Sequence, residues 1–191
     1  KSIIQKCVNT GDVAGKRSYV GGIVGRMDLG YLTACETSSC TITNENGSYT
    51  GGIAGLTGAT VHGSFSKCTL SGKKYVGGIV GYFGKPTSLS CFMEMCYSDG
   101  SIEVCGADSA AAQTAAGGVI GFAAGAYSSD TQKLCSIENC VGSGTLSVSG
   151  SVLSGMLVGI CQTPWVILEG NAVSKGDPAG SAAGTDISAG C

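Results

Sequence analysis

The cysteine residues are the side chains of this sequence whose spacing most strongly suggests chemistry. Two interpretations are open for the recurring spacing Cys-x4-Cys: a disulfide bond that closes a corner of each repeat, or buried thiols stacked from one repeat to the next. A zinc site is not expected, because it would require further ligands close to such a pair. The spacing occurs in three pairs: Cys35–Cys40, Cys91–Cys96 and Cys135–Cys140.

The number and setting of the cysteines carry two further expectations. The total of 11 is odd, so at least one thiol lies outside the intrachain pairs, and Cys191 is the candidate for a bond between chains. Many cysteines in a chain with few charges favour an oxidising, extracellular environment.

No other residue type forms a recognisable catalytic or metal-binding set. His62 is the single histidine and lies between Val61 and Gly63, which is typical of a turn. The sequence Gly21–Asp28 misses the register of the Gly-Gly-x-Gly-x-Asp calcium motif. A β-helical enzyme that acts on polysaccharides stays an alternative, but it needs clustered carboxylates with Lys or Arg, and the charges here are scattered. We therefore expect a non-enzymatic protein without a metal or a cofactor.

The composition excludes several classes of protein. Of the 191 residues, 33 are glycine, 3 are proline and 13% are charged. Collagen requires glycine at every third position with abundant proline, disorder requires low hydrophobicity and high charge, and glycine costs a helix about 1 kcal/mol per position. A net charge of −2 without a basic stripe argues against nucleic-acid binding. No apolar run approaches the roughly 20 residues of a membrane span.

Most of the glycines belong to a repeated segment. The segment 19–25, Tyr-Val-Gly-Gly-Ile-Val-Gly, recurs at 49–55 and 75–81, with looser copies at 115–121 and 153–159. Two glycine positions of this segment are predicted to be structural, and they are occupied by Gly21, Gly25, Gly51, Gly55, Gly77, Gly81, Gly117, Gly121, Gly155 and Gly159. Because side chains alternate along a strand, the first and last glycines are expected to leave room for large residues of the opposite wall. The alternative is that they mark bulges or turns.

A second recurring point lies between the copies of this segment. It is a residue that opens a stretch rich in Ser, Thr, Gly and Val, and it is aligned here as Cys7, Cys40, Cys68, Cys96, Cys140 and Asn171. A short apolar segment precedes this residue in each unit. Together with the glycine segment and the stretch after the recurring residue, it gives each unit three short β segments. Such a unit cannot bury its apolar side alone, and stacking of equivalent strands solves this.

The predicted fold is therefore all-β, a parallel β-helix or β-solenoid of five to six coils, with three short strands per coil and little or no helix. The chain 1–191 is expected to form a single repeat domain. Its coils are placed at 7–34, 35–67, 68–95, 96–139 and 140–170, with a degenerate last coil at 171–191. The residues 1–5 lack the apolar region of a signal peptide, so either a signal has been removed or the chain is a piece of a longer one.

The pattern Gly-Gly-[Ile/Val]-[Val/Ala]-Gly, followed by a short strand ending in Cys and an Asn-Thr-Gly-Asp-Val-like segment, resembles the bacterial GLUG repeat. The resemblance extends from Cys7 to about Asn171. It implies a secreted or cell-surface bacterial protein with an adhesin-like binding or scaffold role. Host glycans, matrix proteins or self-association are the partners that such a role implies. It carries over no catalytic residue, since the His-Glu-x-x-His motif of the peptidases that contain such repeats is absent here.

Two surface features are candidates for binding. The fourth unit carries insertions near 103–114 and 124–133, and insertions in repeat proteins become loops that often gather on a binding face. The alternative is that they are neutral surface loops. The candidate binding residues there are Asp108, Gln113, Tyr127, Asp130, Gln132 and Lys133. Tyr19, Tyr49 and Tyr75 share one repeat position. They are expected to form either a strip that binds sugars or a ladder of rings that pack on one another.

A self-assembling extracellular fibre is the alternative function. The end coils of a solenoid expose unpaired strand edges unless they are capped or charged. The sequence shows no amphipathic cap helix at either end.

Overall fold

The fold is described by a computed structural model that covers residues 2–84, 91–106, 113–124, 135–162 and 166–173. Within these ranges the chain forms strands, turns and bends, without a helix. Every strand pairing between them is parallel. The predicted all-β, parallel fold is thus confirmed.

The strands follow one another in a fixed order that repeats along the chain. The first round contains β1 (Ser2–Gln5), β2 (Val8–Asn9), β3 (Val13–Gly15), β4 (Tyr19–Gly21) and β5 (Val24–Met27). The second contains β6 (Gly30–Thr33), β7 (Glu36–Asn44), β8 (Tyr49–Gly51) and β9 (Ala54–Thr57). The third contains β10 (Thr60–His62), β11 (Phe65–Gly72), β12 (Tyr75–Gly77) and β13 (Val80–Phe83).

The later rounds keep the same order. The fourth contains β14 (Cys91–Glu94), β15 (Tyr97–Cys105), β16 (Ala115–Gly117) and β17 (Ile120–Ala124). The fifth contains β18 (Cys135–Glu138), β19 (Val141–Ser149), β20 (Leu153–Gly155) and β21 (Val158–Gln162). Two further strands follow, β22 (Val166–Glu169) and β23 (Ala172–Val173).

Each round contributes to four parallel sheets, which we call sheets A to D. Sheet A joins β1-β6-β10-β14-β18-β22, and sheet B joins β2-β7-β11-β15-β19-β23, with β3 also paired to β7. Sheet C joins β4-β8-β12-β16-β20, and sheet D joins β5-β9-β13-β17-β21. Each strand therefore pairs with the equivalent strand one repeat away, and the chain enters the sheets in the order A, B, C, D.

The expectation of three strands per repeat is wrong, because the glycine segment forms two strands rather than one. In the second repeat, β8 ends at Gly51 and β9 begins at Ala54, and Gly52 and Ile53 form a bend between them. The first glycines of the five copies lie in register across sheet C. The bend therefore recurs at one place in every repeat and separates sheet C from sheet D.

The glycines of this bend are required by close approach of the backbone. A Cβ atom on Gly51 would overlap the carbonyl group of Ala54. A Cβ atom on Gly55 would lie 2.7 Å from the carbonyl oxygen of Gly25 in the neighbouring repeat, closer than carbon and oxygen atoms pack. The expectation that these glycines make room for side chains of an opposite wall is wrong, and the alternative of a turn holds.

A second corner, between sheets A and B, is made by one residue with positive φ in each repeat. This left-handed conformation costs an ordinary residue about 1–2 kcal/mol and favours Gly and Asn. The position is occupied by Lys6 (53°), Ala34 (52°), Gly63 (57°), Met95 (52°), Asn139 (52°) and Gly170 (63°). The same backbone corner thus recurs with different side chains.

Two columns of buried aliphatic side chains form the core. One runs inside sheet A through Leu32, Val61, Met93 and Ile137, and it packs in one cluster with the bend residues such as Ile53. The other runs inside sheet B through Ile42, Leu70, Ile102 and Leu146. Burial of each such side chain contributes about 1.5–3 kcal/mol, so stacking of the repeats supplies the stability that one repeat lacks.

Candidate binding surface

The predicted binding residues of the fourth repeat lie mostly outside the described residues. Asp108, Tyr127, Asp130, Gln132 and Lys133 belong to this group. Gln113 is described, and it is exposed two residues before β16.

The outer face of sheet B carries hydroxyl groups in rows that run from strand to strand. Side chains alternate along these long strands, so that every second residue points away from the core. One row contains Thr41, Thr69, Ser101 and Thr145, which pair in register. The Thr145 hydroxyl donates a hydrogen bond to Ser101 Oγ at 3.0 Å. The sequence did not reveal this row, because Thr41-Ile42-Thr43 is not repeated letter for letter.

A groove of about 350 Å³ interrupts this face where β7, β11 and β15 run side by side. Its polar side chains come from Ser39, Thr41, Lys67, Thr69, Asp99 and Ser101. Two local features shape it. The pairing of β7 with β11 shifts by one residue between Lys67 and Thr69, at a bulge where Ser39 has a φ of 55°. Gly100, which lies opposite the bulge on β15, has no side chain to fill the space.

An ion pair crosses the groove. Lys67 Nζ lies 3.6 Å from Asp99 Oδ2, and the two side chains are 62% and 32% exposed. Asp99 Oδ1 accepts a hydrogen bond from the Ser143 hydroxyl at 2.8 Å, which orients the carboxylate from the neighbouring strand. Exposed pairs of this kind stabilise a fold by only about 0–1 kcal/mol, so both charges stay available to a ligand.

An aromatic pair borders the groove on the same face. The rings of Phe65 and Tyr97 stack with centroids 5.3 Å apart and an interplanar angle of 18°. Tyr97 is 38% exposed, and its hydroxyl is hydrogen-bonded to Ser143 Oγ at 3.0 Å. Phe65 lies two residues before Lys67 on β11, and Tyr97 lies two residues before Asp99 on β15. The surface therefore combines a cation, a carboxylate, several hydroxyls and an aromatic edge.

The tyrosines at the shared repeat position form a ladder along sheet C. The rings of Tyr19 and Tyr49 stack at 5.2 Å, and those of Tyr49 and Tyr75 lie 5.6 Å apart. Arg26 also lies over the Tyr19 ring, with its guanidinium carbon 5.3 Å from the ring centroid. Sugars stack on open ring faces, and here the faces are occupied by neighbouring side chains. The geometry favours packing over a sugar-binding strip.

A second column of rings on sheet D completes this cluster. Tyr82 stacks on Phe122 with centroids 5.1 Å apart and meets Tyr49 edge to face at 5.3 Å. Burial, with a smaller contribution from the neighbouring tyrosines, raises the pKa of Tyr82 to about 12. The Tyr82 phenol therefore stays neutral well above the pH at which an exposed tyrosine ionises.

Of the two interpretations left open for the Cys-x4-Cys spacing, the structure contradicts the one with a disulfide bond within each pair. Cys40 is joined to Cys68, with Cα atoms 5.0 Å apart. Cys35, Cys91, Cys96, Cys135 and Cys140 are free thiols. The physical reason is strand geometry: of the five residue steps between the partners, at least three run along one strand and span about 10 Å, whereas a disulfide needs Cα atoms within about 7 Å. Strand residues lie between the partners of every such pair.

The repeat position of the cysteines also differs from the alignment based on the sequence. The residue after the positive-φ corner forms one column, which contains Cys7, Cys35, Ser64, Cys96, Cys140 and Asn171. Cys40 and Cys68 lie in the middle of β7 and β11 instead. A sequence signal for this existed: Ser64 precedes Gly77 by 13 residues and Cys35 precedes Gly51 by 16, close to the 14 from Cys7 to Gly21.

Side chains of this column hydrogen-bond the backbone at the corner. The Ser64 hydroxyl accepts from the Cys35 amide at 3.2 Å and donates to the carbonyl oxygen of His62 at 3.3 Å. Asn171 likewise accepts from the Cys140 amide, but it donates to the Ile137 carbonyl of the neighbouring repeat, both at 2.8 Å. Cys, Ser and Asn are therefore interchangeable here because each can donate to a backbone carbonyl.

The remaining candidates for chemistry form no site. His62 is the last residue of β10 and not a turn residue as predicted. Its Nε2 lies 3.9 Å from Glu94 Oε2, and both side chains are more than 40% exposed. Among the described residues, no group of three or more His, Cys, Asp or Glu side chains is arranged to hold a metal ion. The part of the chain that the structure describes also contains no helix that could span a membrane.

Searches against protein-family models, curated proteins and solved structures find no match for this chain.

Proposed function

We propose that the chain is a non-enzymatic, secreted or cell-surface binding module, and that it binds hydroxyl-rich ligands such as glycans through the groove on sheet B. The observation that carries the proposal is the arrangement of Lys67, Asp99 and the hydroxyl rows around one open groove. Polyols are held by many hydrogen bonds to donors and acceptors that are already oriented. The Ser143 hydrogen bond to Asp99 provides such orientation before a ligand arrives.

The scaffold of this module is proposed to be a β-solenoid of five to six coils. The support is that sheets C and D each contain five strands and sheet A contains six, each paired with the equivalent strand of the next repeat. At about 4.8 Å per coil, such a stack would be roughly 24–29 Å long. The flat outer face of sheet B would then present its groove near the middle of the stack.

The extracellular setting is supported by two observations. The Cys40–Cys68 disulfide is a feature of proteins in oxidising compartments. The resemblance of the glycine segments to the GLUG repeat points to bacterial surface and secreted proteins. Together they favour host glycans, or glycan-bearing matrix proteins, as the partners of the groove.

The test is binding of the purified chain to a panel of glycans and extracellular-matrix proteins, compared with groove variants. We expect Lys67→Ala and Asp99→Asn to weaken binding roughly tenfold each, because each removes a hydrogen bond to a charged group. The matched control is Lys16→Ala, since Lys16 is an exposed lysine paired with Glu45 outside the groove. Binding that is unchanged in both groove variants, or absent for every member of the panel, would reject the proposal.

A fibre subunit is the second candidate, and exposed apolar residues on the first strands favour it. Ile3 on β1 is 66% exposed and Val8 on β2 is 64% exposed. These strands occupy the edges of sheets A and B among the described residues, and exposed apolar edges favour pairing with another chain. Light scattering at increasing concentration separates the two: growth that Ile3→Lys abolishes supports a fibre, and a monomer at all concentrations rejects it.

A further inference from the structure

Eight of the ten described cysteines lie in cysteine pairs between neighbouring repeats, and Cys105 and Cys161 are not among these eight. Three pairs of free cysteines face each other across adjacent parallel strands or across the corner beside them, as the disulfide-bonded Cys40 and Cys68 do. Cys91 and Cys135 are register partners in β14 and β18, and their sulfur atoms are 3.0 Å apart. This geometry was not visible in the sequence, where the partners are 44 residues apart.

The other two pairs belong to the corner column. Cys96 and Cys140 lie opposite each other at the corner. The strands before them pair Glu94 with Glu138, and the strands after them pair Tyr97 with Val141, in the same register. Their thiols are hydrogen-bonded, and this bond, together with burial, raises the pKa of Cys96 well above its ordinary value.

Cys7 and Cys35 are related in the same way. Gln5 pairs with Thr33 before them, and Val8 pairs with Glu36 after them. Burial, with a smaller contribution from the neighbouring Cys7, raises the pKa of the Cys35 thiol. The register therefore brings this pair together across the first two repeats.

We propose that these three pairs, Cys7–Cys35, Cys91–Cys135 and Cys96–Cys140, form disulfide bonds between repeats when the protein matures under oxidising conditions. In-register residues of parallel strands have Cα atoms about 4.8 Å apart, inside the range that a disulfide spans. Their Cβ atoms leave the sheet on the same side, so little backbone movement is needed. The bonded pair Cys40–Cys68, with Cα atoms 5.0 Å apart, is the precedent within this chain.

The oxidant in this step is a small disulfide such as oxidised glutathione. A thiolate of the pair attacks it and releases one glutathione thiolate, which takes up the proton. The second cysteine, after losing its proton, attacks the mixed disulfide and releases the second glutathione. Each bridge thus gives two electrons and two protons to one oxidised glutathione. Because Cys91, Cys96, Cys135 and Cys140 are 0–3% exposed, this exchange takes place during folding, before the repeats close over the thiols.

The bridges would divide the protein into two covalent blocks. Cys7–Cys35 and Cys40–Cys68 connect the first three repeats, and the other two connect the fourth and fifth. At the boundary between the blocks, the register partner of Cys96 is Ser64, which cannot form a bridge. The third and fourth repeats would then be held together by hydrogen bonds and packing alone.

The experiment is to refold the reduced, full chain in a buffer of oxidised and reduced glutathione, alkylate the remaining thiols, and map the cross-linked peptides by mass spectrometry without reduction. We expect the four inter-repeat bridges, each with the loss of two hydrogen atoms. Bridges within a corner, such as Cys91–Cys96 or Cys135–Cys140, would overturn the proposal. So would alkylation of the six cysteines of the proposed pairs in the refolded protein.

Two variants sharpen this map. Cys135→Ser should leave Cys91 open to alkylation while Cys96–Cys140 still forms, and a new bridge from Cys91 to Cys96 would contradict the proposal. Cys105→Ser is the matched control, because Cys105 is an exposed thiol whose register partner is Ser149, and it should change none of the bridges. If Cys135→Ser fails to fold, the map of the unchanged chain still decides.

Discussion

The disulfide between Cys40 and Cys68 joins β7 to β11 across the bulge at Ser39, where the register of the two strands shifts by one residue. A bulge weakens the hydrogen-bonded ladder locally. The covalent bond therefore lies at the place where the pairing of these strands is least continuous, directly beneath the groove lined by Lys67 and Asp99.

Removal of this bond should destabilise the protein. For a sequence separation of 28 residues, the loop-entropy relation gives about 3–4 kcal/mol of stabilisation. We expect the variant Cys40→Ala/Cys68→Ala to lose most of that amount in the free energy of unfolding, measured with urea. Cys105→Ser is the control and should change it by less than about 0.5 kcal/mol. Equal stability of the two variants would contradict the assignment of the bridge.

The glycine bend should not tolerate a methyl group. In Gly77→Ala the new Cβ would overlap the Val80 carbonyl oxygen and lie 2.9 Å from Ile120 Cα. Since both are backbone atoms, we expect a loss of at least about 2 kcal/mol in the free energy of unfolding, or failure to fold.

The matched control for this change is Gly63→Asn. Gly63 has a φ of 57°, and no atom lies within 4 Å of the position that a Cβ atom would take there. Asn139 occupies the equivalent corner with a φ of 52°. This variant should cost about 1 kcal/mol or less. A larger loss from Gly63→Asn than from Gly77→Ala would show that conformation, rather than close approach, governs the glycines.

A buried hydroxyl without a partner should be dispensable. Ser98 is 1% exposed, and its hydroxyl has no hydrogen-bond partner among the described residues. We expect Ser98→Ala to leave thermal stability unchanged or to raise it. By contrast, Ser66→Ala should cost about 1–2 kcal/mol, because it leaves the buried Thr37 hydroxyl, which donates to Ser66 Oγ at 3.0 Å, without its acceptor. The reverse order of the two variants would count against this hydrogen-bonding scheme.

Stability should fall in alkali because of the aromatic cluster. The pKa of Tyr82 is raised to about 12 in the folded protein, against about 10 in the unfolded chain. The folded state thus retains the Tyr82 proton that the unfolded state loses. The stabilisation from this group is complete below about pH 10 and is lost as the pH rises through about 12.

Tyr82→Phe isolates this contribution. It removes the phenol while it keeps the stacking on Phe122, so its free energy of unfolding should depend less on pH between about 10 and 12 than that of the unchanged chain. The tyrosinate absorbance in a pH titration should also lose its highest step. A loss of absorbance near pH 10 in place of the highest step would show that Tyr82 ionises like an exposed tyrosine.

The sequence predicted the parallel all-β fold because the glycine segments repeat with little variation. The same segments misled on strand number, since alternation of Gly51, Ile53 and Gly55 looks like one strand when the backbone is not visible. The bend depends on contacts between Gly55 and Gly25 of neighbouring repeats, and no local propensity reports such contacts.

The cysteines show a different limit. The spacing Cys-x4-Cys suggested a chemical pair, but the partners that meet are set by strand register, as with Cys91 and Cys135. The groove was missed for a similar reason, because Lys67 and Asp99 come together only when β11 and β15 pair. An alignment of the repeats that placed Ser64 in the corner column would have given the register of the strands. That register predicts both the Cys91–Cys135 pair and the Lys67–Asp99 pair.

The bridge at Cys40 and Cys68 also sets how the protein would respond to mechanical load. Each repeat is hydrogen-bonded only to its neighbours, so a force that draws the two ends of the chain apart would peel the repeats away one by one. The segment between the bridged cysteines cannot be pulled straight. Because the cysteines are 28 residues apart, this segment would otherwise add about 90–100 Å to the length of the extended chain. Peeling would therefore stop at the bridged repeats, whereas the side of the groove that carries Asp99 lies on β15, outside the enclosed segment, and would be drawn away from Lys67 under tension.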